Sequence, residues 1–495
     1  MNLYQSQQVY QLDKLCMDID GQSSEQLMFK AATAVWNEVQ SRWPQTQHIM
    51  VLAGSGNNGG DAFALATMAL ESGVRVDCFV RGDLSHQSEA ARYYHDEFIS
   101  MGGVVNALHI DDVENTEAEV IIDGLLGIGL NQSLDDHWQA LIHTINQHTA
   151  QRVSIDIPSG LNADTGCAMP CAVNAQITVT FIGRKVGCFL ADGPDYCGEL
   201  FFDSLGVSEF VTQQVAKAGM ALSTENVDIP LKRKNNSYKN QFGHVLVVGG
   251  DRHLSGAVRL AGRAALSTGS GLVSLCVHPD NYQIAAADAE LMVSDWSMLE
   301  QMLERATVVV VGPGLGQSDS AKNLMRQLSA IDLPMVVDAD ALQPEFLHLL
   351  KSLNVVLTPH PGEAARLLAK TTSEIQRDRI GAMTQLLDNW PFDIVLKGAG
   401  TIVGGHQTSD FSLCHNGHPG MATAGMGDVL AGMIGSYMGQ GLDGLQASRA
   451  AVLIHALAAE DFARDFDENS LTAGDVIDRI AVVVKQLRMN IFKNA

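Results

Sequence analysis

Short apolar runs, each closed by a turn rich in glycine or aspartate and followed by a helical stretch, recur along the chain. In the first half they are Ile49–Ala53, Val74–Val80, Glu119–Ile122 and Arg152–Ile155. In the second half they are Gly243–Gly250, Thr307–Val311, Pro334–Val337, Asn354–Leu357 and Phe392–Leu396. Runs this apolar predict strands buried in a sheet core. Their alternation with helical segments such as AFALATMALESG predicts parallel sheets with crossover helices, which bind ligands beyond the carboxyl ends of their strands. The rhythm lapses across residues 206–240, where polar residues, a proline and Lys232-Arg233-Lys234 intervene. Two α/β domains are expected, over residues 1–215 and 225–495 of the 495.

The turns carry the chemistry. Ile49–Ala53 runs into Gly54-Ser55-Gly56-Asn57-Asn58-Gly59-Gly60-Asp61, a GxGxxG match inside a βαβ unit. Asp61 is expected to open the following helix, which would put a carboxylate where a pyrophosphate would sit; glycines for a tight turn with Asp61 as an N-cap is the simpler alternative. Two further strands end in aspartate: Asp123, leading into Gly124–Asn131, and Asp156, leading into Ile157–Asn162. One such aspartate is equally a cap or turn former, but three polar loops at strand ends favour one shared crevice. Asn58, Asp123 and Ser159 offer only hard oxygen ligands, which suit an alkali or alkaline-earth cation rather than zinc. Asp156 is the natural proton-transfer group, since a strand tip holds it rigid beside a ligand.

In the second half, Pro419–Gly432 (PGMATAGMGDVLAG) places Gly425 and Gly427 around a turn and Asp428 at the start of an apolar helix. Backbone N–H groups at such a start form an anion hole. An aspartate beside a phosphate hole fits best as a group that accepts a proton, with a plain N-cap as the alternative. Lys397, between an apolar strand and a glycine turn, favours a phosphate or nucleotide contact. His360, between two prolines, is open between packing and ligand binding, and Gly256-Ala257 opens a helix dense in small residues.

Composition narrows the field. Lys+Arg 32 against Asp+Glu 56 gives a net charge of −24, which disfavours nucleic acid and anionic lipid as partners. Any phosphate must then be held by backbone amides and a few placed cations. The eight cysteines are scattered and read as reduced thiols. No apolar run approaches the roughly 18–20 residues of a membrane helix, and the N-terminus lacks signal-peptide character. A soluble, cytoplasmic protein is the expectation.

GSGNNGGDAF, DGLLGIGLN and SIDIPSGLNADTG closely resemble the NAD(P)H-hydrate epimerase family over roughly residues 10–210. The resemblance implies substrate contacts at Asn57, Asn58, Gly59, Gly60 and Asp61, along Gly127, Ile128, Gly129, Leu130, Asn131, Gln132 and Ser133, and at Asp156. It also implies K⁺ ligation by Asn58, Asp123 and Ser159, and Asp156 as the acid/base. Ala62 and Ile128 depart from the family's usual Gly and Thr. YKNQFGHVLVVGGD, GPGLG, TPHPGE, LKGAGT and AGMGD resemble the ADP-dependent NAD(P)H-hydrate dehydratase family, of the ribokinase-like superfamily, over roughly residues 225–490. Ala257, Gly314, His360 and Asp428 are then implied to contact the hydrated nucleotide. Lys397, Gly398, Ala399, Gly400, Thr401 and Gly427 are implied to hold the adenine nucleotide, with Asp428 catalytic. Met426 stands where Thr or Ser is usual.

The implied fold is two three-layer αβα domains, N-terminal Rossmann-like and C-terminal ribokinase-like. The implied activity is repair of hydrated NADH and NADPH (NADHX and NADPHX), with ADP as co-substrate, Mg²⁺ on the nucleotide, K⁺ in the first domain and assembly as a homo-oligomer. The alternative is a ribokinase-like vitamin kinase fused to a non-catalytic nucleotide-binding domain. A plain NAD-dependent dehydrogenase is disfavoured by Asp61 and by the absence of an acidic residue directly after Val74–Val80.

Overall fold

The computed structural model describes residues 1–230, 232–408 and 410–494, the side chains of His86 and of residues 490–494 excepted. Leu231, inside the expected boundary stretch, lies outside the described residues. The chain folds as two compact units, Asn2–Gly219 and Met220–Ala495, the latter grouped with Met1. Both are α/β with parallel sheets.

The N-terminal unit is built on β1 (His48–Ala53), β2 (Arg75–Val80), β3 (Val105–Ala107), β4 (Val120–Gly124), β5 (Gln151–Ile155), β6 (Ile177–Phe181) and β7 (Glu199–Asp203). These form a seven-stranded sheet in the order β3-β2-β1-β4-β5-β6-β7, with every pairing parallel. Side chains alternate between faces along a strand. Accordingly Ile49, Val51 and Ala53 of β1 join one hydrophobic cluster and Met50 and Leu52 the other. Both faces are buried, which is why these strands read as unbroken apolar runs. Helices α1 (Ser6–Asp20), α2 (Ser24–Arg42), α3 (Asn57–Glu71), α4 (Glu89–Ser100) and α5 (Asp136–Gln147) supply the covering layers. Ser23 starts α2 as a capping box with Gln26, and Asp135 caps α5. The strand order reverses between β1 and β4, and an open parallel sheet binds ligands at that switch.

The C-terminal unit repeats the plan with β8 (His244–Val248), β9 (Leu272–Val277), β10 (Met292–Asp295), β11 (Val308–Val311), β12 (Met335–Val337), β13 (Val355–Leu357), β14 (Asp393–Leu396), β15 (Thr401–Gly404) and β16 (Phe411–Cys414). Their order is β10-β9-β8-β11-β12-β13-β14-β15-β16, parallel up to β14 and antiparallel thereafter. Here the reversal falls between β8 and β11. Val245, Val247, Val308 and Val310 pack against α6 (Ser255–Thr268), α7 (Met426–Gly439) and α8 (Gly444–Asp465). The small residues of α6 have a packing reason: a Cβ on Gly432 of α7 would stand 2.1 Å from the Ala261 carbonyl oxygen.

Candidate active sites

The loops after β1 and β4 and the tip of β5 open on one cavity of about 740 Å³ in the N-terminal unit. Asn57, Asn58, Asp61, the run from Gly127 to Gln132, and Asp156 all line it. Gly59 and Gly60 do not: they pack against the Gly54 carbonyl and Met28. Ser133 is also absent from the lining. Asp61 corrects the sequence reading. Helix α3 opens at Asn57 under Gly56, so Asp61 sits in its second turn, where it neither caps the helix nor occupies its N-terminus. It faces the cavity, and burial, then Asp156 and Asp13, push its carboxyl well above the ordinary value.

Asp156 directly follows β5 in a left-handed conformation (φ 65°), which turns its carboxylate back toward the sheet end. It is ion-paired with Lys185, whose side chain is buried. It also accepts hydrogen bonds from Thr180 Oγ1 (3.2 Å) and the Phe181 N–H (3.1 Å). Sequence reasoning missed Lys185, Tyr10 and Asp13, all in the lining. Burial pushes Asp13 up to about 6. No local motif marks these residues: Tyr10 and Asp13 lie on α1, distant in sequence from the strand ends it meets, and Lys185 lies 29 residues beyond the Asp156 it pairs with.

Asn58, Asp123 and Ser159 come together around one backbone unit. Asn58 Nδ2 donates to the Leu126 carbonyl (3.1 Å), and the Leu126 N–H donates to Ser159 Oγ (2.8 Å). Asp123 is fully buried and accepts from Ser154 Oγ and the Ser159 N–H, both at 2.8 Å. Asn58 Oδ1 is buried with no hydrogen-bond partner. An acceptor in that state costs roughly 1–3 kcal/mol unless something supplies positive charge, and burial also pushes the Asp123 carboxyl up. The donor set, all oxygen, therefore fits a hard alkali or alkaline-earth cation.

In the C-terminal unit, Gly425 (φ 91°) starts α7 without any side-chain cap. The Val429 N–H is the first to close an intrahelical bond to Gly425, leaving the amides of Met426, Gly427 and Asp428 for a ligand. Asp428 occupies the first turn. Burial, then Asp338, push its carboxyl up to about 7, against the opposing pull of Lys397. Lys397 does not stand free beside a phosphate site: its ammonium is 2.7 Å from Asp338 Oδ1 and 3.8 Å from Glu363 Oε2. Burial alone would lower Lys397, but Asp338 and then Glu363 outweigh it and hold the ammonium above its ordinary value. A Cβ on Gly427 would lie 3.2 Å from this ammonium, which places Lys397 at the helix start.

His360 caps the helix Pro361–Leu367. Its Nδ1 accepts from the N–H groups of Gly362 (3.0 Å) and Glu363 (3.2 Å), and burial lowers its pKa. With Nδ1 accepting, Nε2 is the ring nitrogen left to donate, 3.3 Å from Glu363 Oε1. Ala257 and Gly314 adjoin one another, a Cβ on Gly314 lying 3.3 Å from that of Ala257. The loop from Gly398 to Gly400 is shaped from beneath by Arg379, whose buried Nη2 donates to the carbonyls of Leu396, Lys397 and Gly400 at 3.2 Å each. Sequence reasoning assigned no role to Asp338, Glu363 or Arg379. A DAD at a strand end and the Glu of TPHPGE were the available signals for the first two.

Comparison with known proteins decides the family. Residues 24–187 match the family model described as YjeF-related protein N-terminus, and residues 245–481 match NAD(P)H-hydrate dehydratase. The bifunctional NAD(P)H-hydrate repair enzyme of Coxiella burnetii is 39% identical over 97% of this chain and 99% of its own. The chain belongs to the bifunctional NAD(P)H-hydrate repair enzyme family. The Escherichia coli member is 37% identical over 94% of this chain and 91% of its own. Among solved structures, the ADP/ATP-dependent NAD(P)H-hydrate dehydratase from Bacillus subtilis, co-crystallised with ATP/Mg²⁺, is 26% identical with a TM-score of 0.50, covering 55% of this chain and all of that one. A family member with both units carries an epimerase and a dehydratase, so the vitamin-kinase alternative is set aside.

Proposed function

We propose that the N-terminal unit interconverts the two epimers of hydrated NADH or NADPH, and that the C-terminal unit dehydrates the S-epimer with ADP, yielding the reduced nucleotide, AMP and phosphate. What carries this reading is one cover of nearly the whole chain by bifunctional relatives, with a carboxylate standing at a ligand-binding strand or helix end in each unit.

In the N-terminal unit, Asp156 moves the proton, oriented by Lys185, Thr180 and the Phe181 N–H. Asn58, Asp123 and Ser159 would hold K⁺, whose positive charge would satisfy Asn58 Oδ1 and draw the β1 and β4 loops together. In the C-terminal unit, hydroxide is a poor leaving group, so the ring hydroxyl must first be esterified. Asp428 accepts the hydroxyl proton as the oxygen takes the terminal phosphoryl group of ADP and AMP departs. Amides at Gly427 stabilise the charge on the transferring group. Phosphate then leaves with the C–O electron pair, and loss of a neighbouring ring proton restores the double bond. Lys397, held by Asp338, balances charge at the helix start. Gly398, Ala399, Gly400 and Thr401 form the nucleotide loop, and Ala257, Gly314 and His360 contact the hydrated substrate. Mg²⁺ on the nucleotide supplies charge neutralisation, as the ATP/Mg²⁺ complex of the Bacillus subtilis relative supports. A cytoplasmic homo-oligomer is part of this reading.

The test is recovery of reduced-nicotinamide absorbance from mixed NADHX epimers with ADP, Mg²⁺ and K⁺. Complete recovery that requires ADP establishes both activities. Recovery that stops at the share of one epimer removes the epimerase, and a stable phosphorylated product in its place removes the dehydratase.

A further inference from the structure

The N-terminal cavity is lined by three cations. Lys185 is committed to Asp156, and Lys14 belongs to α1. Arg81 is different. It follows β2 directly, and its N–H donates to the Ala53 carbonyl at 2.9 Å, which pins it beside the end of β1. Its guanidinium lies over the Trp138 ring, 4.4 Å from the centroid, and Trp138 lines the same cavity. Among the described residues no carboxylate is ion-paired with it. In a chain of net charge −24, a cation in a cavity without an acidic partner is poised for an anion.

Position tells which anion. In a sheet whose order reverses between β1 and β4, a dinucleotide lies across the switch, and the residue after the second strand reads the adenosine ribose. An acidic residue there accepts from a free 2′-hydroxyl, whereas an arginine accommodates a 2′-phosphate. Asp156, after β5, marks the nicotinamide end of the same cavity. The first acid after β2, Asp83, is not among the residues lining the cavity and accepts from the Ser85 N–H (2.9 Å) and Oγ (2.8 Å).

We infer that Arg81, backed by Trp138, is a subsite for the ribose 2′-phosphate of NADPHX and makes the epimerase unit favour the phosphorylated nucleotide. The guanidinium fork meets two phosphate oxygens at once, and the indole face fixes its plane before the ligand arrives. This inference rests on the epimerase reading above.

The experiment follows interconversion of separated epimers by chromatography, with full-length protein and no ADP, so that dehydration is silent. In Arg81→Ala the KM for NADPHX should rise about 10- to 100-fold, the range of a charge-assisted hydrogen bond. The kcat should hold, and both constants for NADHX should stay within about twofold. Arg81→Lys should lose part of the discrimination. In the wild type 2′,5′-ADP should inhibit more strongly than 5′-AMP, and in Arg81→Ala the two should be equal. Unchanged NADHX turnover certifies that the variant is folded. Equal losses on both substrates, or no loss on NADPHX, would overturn the subsite. Failure of the wild type to epimerise NADHX would instead overturn the epimerase reading.

Discussion

Replacing Asp428 with Asn should silence dehydration and, above neutral pH, stabilise the C-terminal unit. The carboxyl is pushed from 3.8 to about 7 by burial, then by Asp338, with Asp340 and Glu363 adding to them. A raised carboxyl binds its proton more tightly in the fold than in the unfolded chain. The stability it contributes is therefore complete below about pH 4 and is lost as pH rises through about 7. At 1.36 kcal/mol per pKa unit, a shift of about three units means that ionised Asp428 costs roughly 2–4 kcal/mol at pH 8, allowing for partial solvent access. An amide of the same shape avoids that cost. Thermal unfolding, with the C-terminal transition identified by its shift on adding ADP, should show Asp428→Asn more stable by several degrees at pH 8 and little changed at pH 4. Wild-type dehydration kcat/KM should fall about tenfold per pH unit below 7, because the base must be ionised, and the Asn variant should lose about 10²–10⁴-fold. Epimerisation should survive. An Asn variant no more stable than wild type at pH 8, or a wild-type profile flat from pH 6 to 8, would refute the account of a strained carboxylate.

Two further outcomes follow from the site geometry. Exchanging K⁺ for a bulky organic cation should slow epimerisation and leave ADP-dependent dehydration of the S-epimer near its original rate; Asn58→Leu, which removes the unpartnered oxygen, should abolish the response of epimerisation to K⁺. Arg379→Ala should raise the KM for ADP about tenfold by releasing the three carbonyls that shape residues 398–400, and Arg379→Lys should restore only part of it, since an ammonium can stand in for Nη2 at the carbonyls but cannot also replace Nη1 at Gln376 Oε1 (2.8 Å).

What was legible in the sequence was whatever recurs locally. Strands such as β4 were visible because both faces of the sheet are covered and every position is buried; β6 and β9, buried along nearly all their length, were not among the runs read as strands. Asp123 and Asp156 were visible because they close such runs, and Asp428 because a glycine turn sets it at the start of an apolar helix. Asp61 was misplaced because the glycines before it looked like a loop. The structure instead starts α3 at Asn57, where Gly56 takes the extended conformation of an N-cap without offering a side chain. Lys185, Asp13, Asp338 and Arg379 were illegible for a different reason. Each acts on a group far along the chain, Arg379 on carbonyls 17 to 21 residues away and Lys397 on Asp338 at a separation of 59. Only the folded sheet brings them together.

The two sites, on separate units, reach the same electrostatic arrangement. In the N-terminal cavity Asp13, Asp61 and Asp156 line the wall with the ammonium of Lys185, which is ion-paired with Asp156; in the C-terminal site Asp338, Glu363 and Asp428 act on that of Lys397. Burial is the first cause of the upward push on Asp13, Asp61 and Asp428, and a neighbouring carboxylate adds to each. Asp13 is pushed up to about 6 and Asp61 well above its ordinary range in one site, and Asp428 is pushed up to about 7 in the other. A carboxyl poised near the working pH can give or take a proton at small cost. The same excess of negative charge repels a phosphorylated substrate, so its phosphates must be met elsewhere. On the readings proposed above, the uncapped start of α7 would meet them in one unit, and the guanidinium of Arg81, with no ion-paired carboxylate among the described residues, would meet them in the other.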